Sequence, residues 1–256
     1  MRTAVVIPAF NESATVADVA ARALRWVRNV YVVDDGSDDD TASRLRGLPV
    51  TLIRNETNLG KAASMTRGFA AALADSMDAV ITLDADGQHR PEDIPRLIAA
   101  AVQYPGDIII ATRLEQRRRM PLTRRFGNRQ ADFWISWAAG YPIRDTQSGY
   151  RLYPAALLKR LKLRSGRGNS FVYESEVLIE AARLGCYARP VAIEAIYAHN
   201  LRKSHFRVGS DTLRIVRMVA AKLLKRGLYP LGLLRSLGLV RNPGAAGGTA
   251  GAQSTR

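Results

Sequence analysis

Four short runs of mostly β-branched residues, at 3–8, 30–33, 50–53 and 80–83, each break into a polar turn, and the first, third and fourth are followed by stretches that read as helix. The run 3–8 stops at Pro8-Ala9-Phe10-Asn11, after which Val16, Val19, Ala20, Ala23, Leu24 and Val27 recur on one helical face. The second run ends in Asp34-Asp35-Gly36, and the third precedes a loop over 55–61 and a helix predicted for 62–73. The fourth runs into Asp84-Ala85-Asp86, followed by Pro91, Glu92 and Asp93, residues that suit the first turn of a helix, here reaching about Tyr104. A fifth apolar run covers 107–112. Strand and helix in alternation predict an α/β fold, a mostly parallel sheet with helices on both faces. Ligands of such sheets bind beyond the carboxyl ends of the strands, where the acidic clusters fall.

The second half is more basic. The chain of 256 residues carries 38 Lys+Arg against 23 Asp+Glu, a formal charge of +15 that calls for an anionic partner. Seven arginines and one acid between 113 and 129 are expected to form a mobile basic loop. A late strand is predicted at 191–196, after a helix over 173–184. Beyond it, Leu213, Val216, Ala220, Leu223 and Leu224 form one apolar stripe, with Arg214, Arg217, Lys225 and Arg226 opposite. Ten Lys or Arg and one acid lie within 201–241, a composition drawn to an anionic membrane surface without spanning it, although docking on the protein's own core fits the stripe equally. The expected organisation is a catalytic domain at 1–210, a basic amphipathic segment at 211–241 and a disordered tail at 242–256. One cysteine, Cys186, excludes an intramolecular disulfide framework and points to a reducing, cytoplasmic setting, with peripheral attachment at the cytoplasmic face of the membrane.

Chemistry concentrates at the strand ends. Asp84 and Asp86, two apart across a small residue, can turn their carboxylates to one divalent cation, Mg²⁺ or Mn²⁺, and Gln88 can add a carbonyl oxygen. An acid in Asp34-Asp35-Gly36-Ser37 can hydrogen-bond a ribose hydroxyl or a base nitrogen, Phe10 can stack on a base, and Glu12 can accept from a ribose. Each also reads as an ordinary turn or early-helix residue. Lys61 in Asn58-Leu59-Gly60-Lys61 resembles a phosphate-loop lysine only faintly, because the Gly-rich pattern is incomplete.

Taken in order and at these intervals, IPAFNE, VVDDGSDDDT, NLGKAASMTRGF and LDADGQHRPED resemble glycosyltransferase family 2, the inverting enzymes of GT-A type. DTQSGYR and SFVYESEVLIEAARLG look like its polyprenyl-phosphate and dolichyl-phosphate sugar transferases, and the resemblance covers about 3–210. It implies a nucleotide-sugar donor held by Pro8, Phe10 (where tyrosine is common), Glu12, Val33 and Asp35, with Asp84, Ala85 and Asp86 as the Asp-x-Asp motif. It also implies a metal ion on Asp84, Asp86 and Gln88, Arg113 near the diphosphate, and a lipid-phosphate acceptor. The family's R-x-x-G-x-S-K ending is replaced here by HNLRKSHF. Aligning Ser204 puts His199 and His205 at the basic positions and leaves Arg202, Lys203 and Arg207 as substitutes.

An acceptor phosphate is already ionised near neutral pH and needs no strong base, whereas a saccharide hydroxyl would. Asp145, opening DTQSGYR, is the base in the second case and a positioning residue in the first. Two other classes fit less well. A DxD phosphohydrolase places its motif near the first strand and follows it with threonine or valine, where Gln88 stands here. A basic RNA-binding module conflicts with acidic strand ends and lacks an aromatic RNP-type pattern, so no nucleic-acid partner is expected. The absence of a Gln-x-x-Arg-Trp motif argues against a processive synthase.

Overall fold

A computed structural model describes residues 1–112, 122–161, 170–193 and 208–242. The sheet has seven strands: β1 (Thr3–Ala9), β2 (Asn29–Asp34), β3 (Thr51–Arg54), β4 (Ala79–Thr82), β5 (Ile108–Thr112), β6 (Arg151–Pro154) and β7 (Ala188–Ala192). Their order is β3-β2-β1-β4-β6-β5-β7. All neighbours run parallel except β6, which is antiparallel to both β4 and β5. The predicted α/β architecture is therefore present, with one reversed strand set into its centre.

Helices α1 (Val16–Leu24) and α3 (Ile94–Gln103) cover one face. The other carries α2 (Lys61–Ala74), α4 (Leu122–Ala139), α6 (Ser170–Arg183) and α7 (Val208–Leu224). Short α5 (Ala155–Arg160) follows β6, and α8 (Pro230–Ser236) packs on α4. Strand β1 shows why both faces fill: Val5, Ile7 and Ala9 enter one core and Ala4 and Val6 the other, all buried. A Cβ on Gly68 would lie 2.3 Å from Val6 Cγ1, so glycine lets α2 sit directly on β1.

Three sequence expectations change. Residues 122–129 belong to α4 rather than to a basic loop; the helix is held by Ile135, Ala138 and Ala139, whose burial outweighs the poor composition of its first turns. Residues 113–121 lie outside the described residues. The late strand begins earlier, at Ala188, because its pairing with β5 starts at Ile108↔Ala188. On α7 the buried face is Ile215, Val219 and Leu223, whereas Val216, Ala220 and Leu224 of the expected stripe are exposed. Apolar residues wrap most of this helix, so its partner chooses the face: Lys222 pairs with Glu176 (2.8 Å) and Glu180 of α6. The tail at 243–256 is outside the described residues, and among those described no helix is long and apolar enough to cross a membrane.

Candidate active site

Because β1, β2 and β4 are parallel, their carboxyl ends open on one edge of the sheet. The antiparallel β6 begins on that same edge, so the segment 145–150 arrives opposite the end of β4, with Thr82↔Arg151 in register. Topology thus brings IPAFNE, VVDDGS, LDADGQ and DTQSGYR together from four distant stretches of sequence.

At the end of β4 the half-buried Asp84 meets Lys61, the first residue of α2, at 2.6 Å between Oδ1 and Nζ. The same ammonium lies 2.8 Å from Glu174 Oε1 of α6, a carboxylate that is 4% exposed. Gly149 forms the floor: a Cβ there would lie 3.0 Å from Asp84 Oδ2, 3.0 Å from Lys61 Nζ and 3.3 Å from Glu174 Oε1. Burial alone would lower the Lys61 pKa, but the Asp84 and Glu174 carboxylates outweigh it and keep the ammonium charged, well above the usual lysine value. Lys61 was legible only as a faint phosphate-loop candidate. Glu174 was missed, because YESEVLIE holds three acids at helical spacing and only packing shows which one turns toward the sheet edge.

Loop 55–60 is built by Asp35. Its carboxylate accepts from Asn55 Nδ2 (2.6 Å), Leu59 N (2.9 Å) and Gly60 N (2.8 Å), and the residue is 3% exposed. Gly60 has φ +92°, a conformation glycine adopts without strain, and it turns the chain directly into α2 behind Lys61. Asp34 is equally buried and ties Ser37 N (3.0 Å) to Arg54 Nε (3.2 Å). The IPAFNE turn is bound to the second loop by Asn11 N to Ser37 Oγ (2.9 Å), Asp38 N to Asn11 Oδ1 (2.9 Å) and Glu12 N to Thr41 Oγ1 (2.8 Å). Burial pushes the Asp39 carboxyl up, but hydrogen bonds from Thr41 and Ser13 prevail and hold it at about 2. Pro8, Phe10 and Glu12 remain partly accessible along this rim. Val33 is fully buried beneath α2 and Ala85 lies in the opposite core, so neither side chain faces the rim.

Asp86 accepts from Gln88 N at 2.9 Å across Gly87, forming a tight turn with both side chains partly exposed. His89 packs against Tyr150 in a tilted arrangement with centroids 5.2 Å apart, and Tyr150 Oη donates to Arg90 O, so the segment after the Asp-x-Asp is clamped to GYR. Among the described residues no group of three or more His, Cys, Asp or Glu gathers as a closed metal cage. Two carboxylates and an amide at an accessible edge do match the donor set of an ion shared with substrate phosphates and water.

Asp145 is 6% exposed and holds φ +58°, a strained value for a non-glycine residue. Asp132 of α4 fixes the next residue, accepting from Thr146 N (2.9 Å) and Oγ1 (2.8 Å). Arg151 is entirely buried, and its guanidinium donates to the carbonyls of Thr146 (2.8 Å), Ser148 (2.7 Å) and Glu174 (2.7 Å). One buried cation thereby locks the 146–148 turn to the helix turn carrying Glu174. Arg113, His199, Arg202, Lys203, Ser204, His205 and Arg207 all lie outside the described residues.

Comparison with known proteins agrees with this arrangement. The sequence profile described as Glycosyl transferase family 2 matches residues 4–161. The UDP-N-acetylglucosamine–dolichyl-phosphate N-acetylglucosaminyltransferase of Methanococcus voltae is 30% identical over 217 residues, covering 75% of this chain and 84% of that protein. The undecaprenyl-phosphate mannosyltransferase of Micrococcus luteus is 30% identical, covering 72% and 79%. In fold, the chain is similar to glucosyl-3-phosphoglycerate synthase of Mycobacterium tuberculosis in complex with UDP, with a TM-score of 0.67 at 21% identity over 86% of this chain and 79% of that one. The same enzyme is also known with Mn²⁺, UDP-glucose and phosphoglyceric acid, at a TM-score of 0.66. With its motifs collected on one sheet edge and its family profile matched over most of that sheet, the chain belongs to glycosyl transferase family 2 and is a glycosyltransferase of GT-A fold.

Proposed function

We propose that this enzyme transfers a sugar from a nucleotide-sugar donor to a polyprenyl phosphate, with inversion at the anomeric carbon and dependence on a divalent metal. The observation that carries the reading is the convergence of Asp84, Lys61 and Glu174 over Gly149 at the carboxyl edge of the sheet. The lipid-phosphate acceptor rests on the relatives from Methanococcus voltae and Micrococcus luteus, whose names specify dolichyl and undecaprenyl phosphate.

In this reading Pro8, Phe10 and Glu12 line the nucleoside, and Asp35 acts by shaping the loop that presents Lys61. Asp84 and Asp86, with Gln88, would hold Mg²⁺ or Mn²⁺, which when bound stabilises charge on the departing diphosphate. Lys61, already charged, adds a second cation beside that diphosphate, and Glu174 orients it. Arg113 is assigned to the diphosphate by family resemblance. The bond from the anomeric carbon to the diphosphate breaks as an acceptor phosphate oxygen bonds to the opposite face. No proton need leave that oxygen, so Asp145 positions the acceptor rather than deprotonating it.

The test is a thermal-shift panel of UDP- and GDP-sugars with and without Mn²⁺. One donor should raise the melting temperature only with the metal, and Asp84→Asn and Asp86→Asn should abolish the shift. An equal shift without metal, or none with any donor, would refute the assignment.

A further inference from the structure

Large apolar side chains are not scattered evenly over this surface. Among the described residues, eleven of the sixteen that are exposed lie within 126–134 or 216–240. Phe126, Phe133 and Trp134 stand on the outer side of α4, and Leu228, Leu231, Leu234, Leu237, Leu239 and Val240 on and around α8. The two groups adjoin because α8 is packed tightly on α4: a Cβ on Gly232 would meet the Tyr229 ring at 2.1 Å and Trp137 O at 2.9 Å, and Trp137 Nε1 donates to Tyr229 O at 3.2 Å. Phe133, Trp134 and Trp137 pack together, with centroids 5.3 Å and 5.4 Å apart along the series. A concentration of exposed apolar side chains on two adjoining helices marks a contact face.

Charge identifies the occupant. From 212 to 242 the sequence contains seven Lys or Arg and no Asp or Glu, and Arg125 and Arg129 are exposed on α4. The one acid in α4, Asp132, turns inward to Thr146. Aromatic and leucine side chains ringed by cations, without an acid on either helix facing out, match the boundary between anionic headgroups and acyl chains. We propose that the outer face of α4 together with α8 is the surface that seats this enzyme on an anionic lipid bilayer, and that α7, which buries Ile215, Val219 and Leu223 against the body of the domain, is its support.

The position fits the acceptor. Asp132 and Ser136 share the inner face of α4, and Ser136 Oγ receives from Ile143 N at 2.9 Å, so the helix that meets the lipid on one side fixes residues 143–146 on the other. A lipid-borne phosphate would then rise beside Asp145. This last step rests on the polyprenyl-phosphate reading; the docking surface itself does not.

The test is flotation of the full chain with vesicles of phosphatidylcholine alone, or of phosphatidylcholine and phosphatidylglycerol in equal parts, comparing wild type with Leu234→Glu/Leu237→Glu. Both substitutions fall on exposed positions, and sugar transfer to a short water-soluble prenyl phosphate in vesicle-free buffer reports whether the site is intact. Wild type should float with the anionic vesicles and show tryptophan quenching by brominated lipid. The double variant should partition at least about tenfold more weakly while keeping soluble transfer. Equal flotation of both proteins, or no flotation of wild type, would overturn the proposal, as would a wild-type dimer that the variant dissolves with neither binding lipid. If the flotation difference appears but neither protein transfers to any prenyl phosphate, the docking surface stands and the acceptor assignment falls.

Discussion

Lys61 sits between the carboxylates of Asp84 and Glu174, and its removal has consequences for both binding and chemistry. Lys61→Met is expected to lower kcat/KM by about 100-fold, since one preorganised cation at a leaving group is worth roughly 3 kcal/mol. Glu174→Gln should cost less, because it disturbs the orientation of Lys61 and leaves its charge in place. Steady-state kinetics with the donor varied would check both, and wild-type rates in Lys61→Met would remove it from the site. Only part of this was legible in sequence. Asp84 and Asp86 declared themselves by following an apolar run, whereas Glu174 is one of three acids on a helix and is singled out by the Arg151 guanidinium that grips its carbonyl. In sequence Asp35 reads as a ligand contact, whereas its three hydrogen bonds come from loop 55–60, a shaping role that depends on residues twenty or more positions away.

At the level of elements, alternation of strand and helix was readable because β-branched runs and helical spacing are local signals. The reversed β6 was not: RLYP looks like any short strand, and its direction is fixed by pairing with β4 and β5. Helix α4 was partly mistaken for a loop because its first turns are arginine-rich and its stabilising contacts are tertiary. The fit of α2 on β1 gives a direct packing prediction. Gly68→Ala would force a methyl against Val6 and should destabilise the fold by about 1–3 kcal/mol, measured by denaturant unfolding. A second prediction concerns the turn behind the Asp-x-Asp segment, which is tied to α1 by Arg22 and Glu92 at 2.6 Å. The hydrogen bond from Arg22 outweighs burial and lowers the Glu92 pKa to about 2. Glu92 thus ionises at lower pH in the folded protein than in the unfolded chain, so its contribution is complete above the ordinary carboxylate pKa and is lost as pH falls toward 2. The stability difference between wild type and Glu92→Gln should therefore narrow across that acidic window, and a constant difference would show that the pair does not couple to folding.

Over the whole molecule the charge of +15 divides the labour. Acids sit at the carboxyl edge of the sheet, where the proposed metal and diphosphate would meet, while the basic excess of the last described helices surrounds exposed leucines and aromatics. Composition alone left nucleic acid, nucleotide and lipid phosphate open as partners. The proposed lipid-phosphate reading draws on helix α4 lying between the apolar surface and the 143–146 segment, a relation that no stretch of sequence could reveal. The most direct measurement of the central claim is transfer of labelled sugar from a panel of nucleotide sugars to undecaprenyl phosphate in the presence of Mn²⁺, with the anomeric configuration of the product read by NMR. The account predicts a single sugar on the lipid phosphate, inverted relative to the donor, and loss of about 100-fold or more of the rate in Asp84→Asn. A retained configuration, undiminished transfer by Asp84→Asn, or transfer only to a saccharide hydroxyl would contradict it.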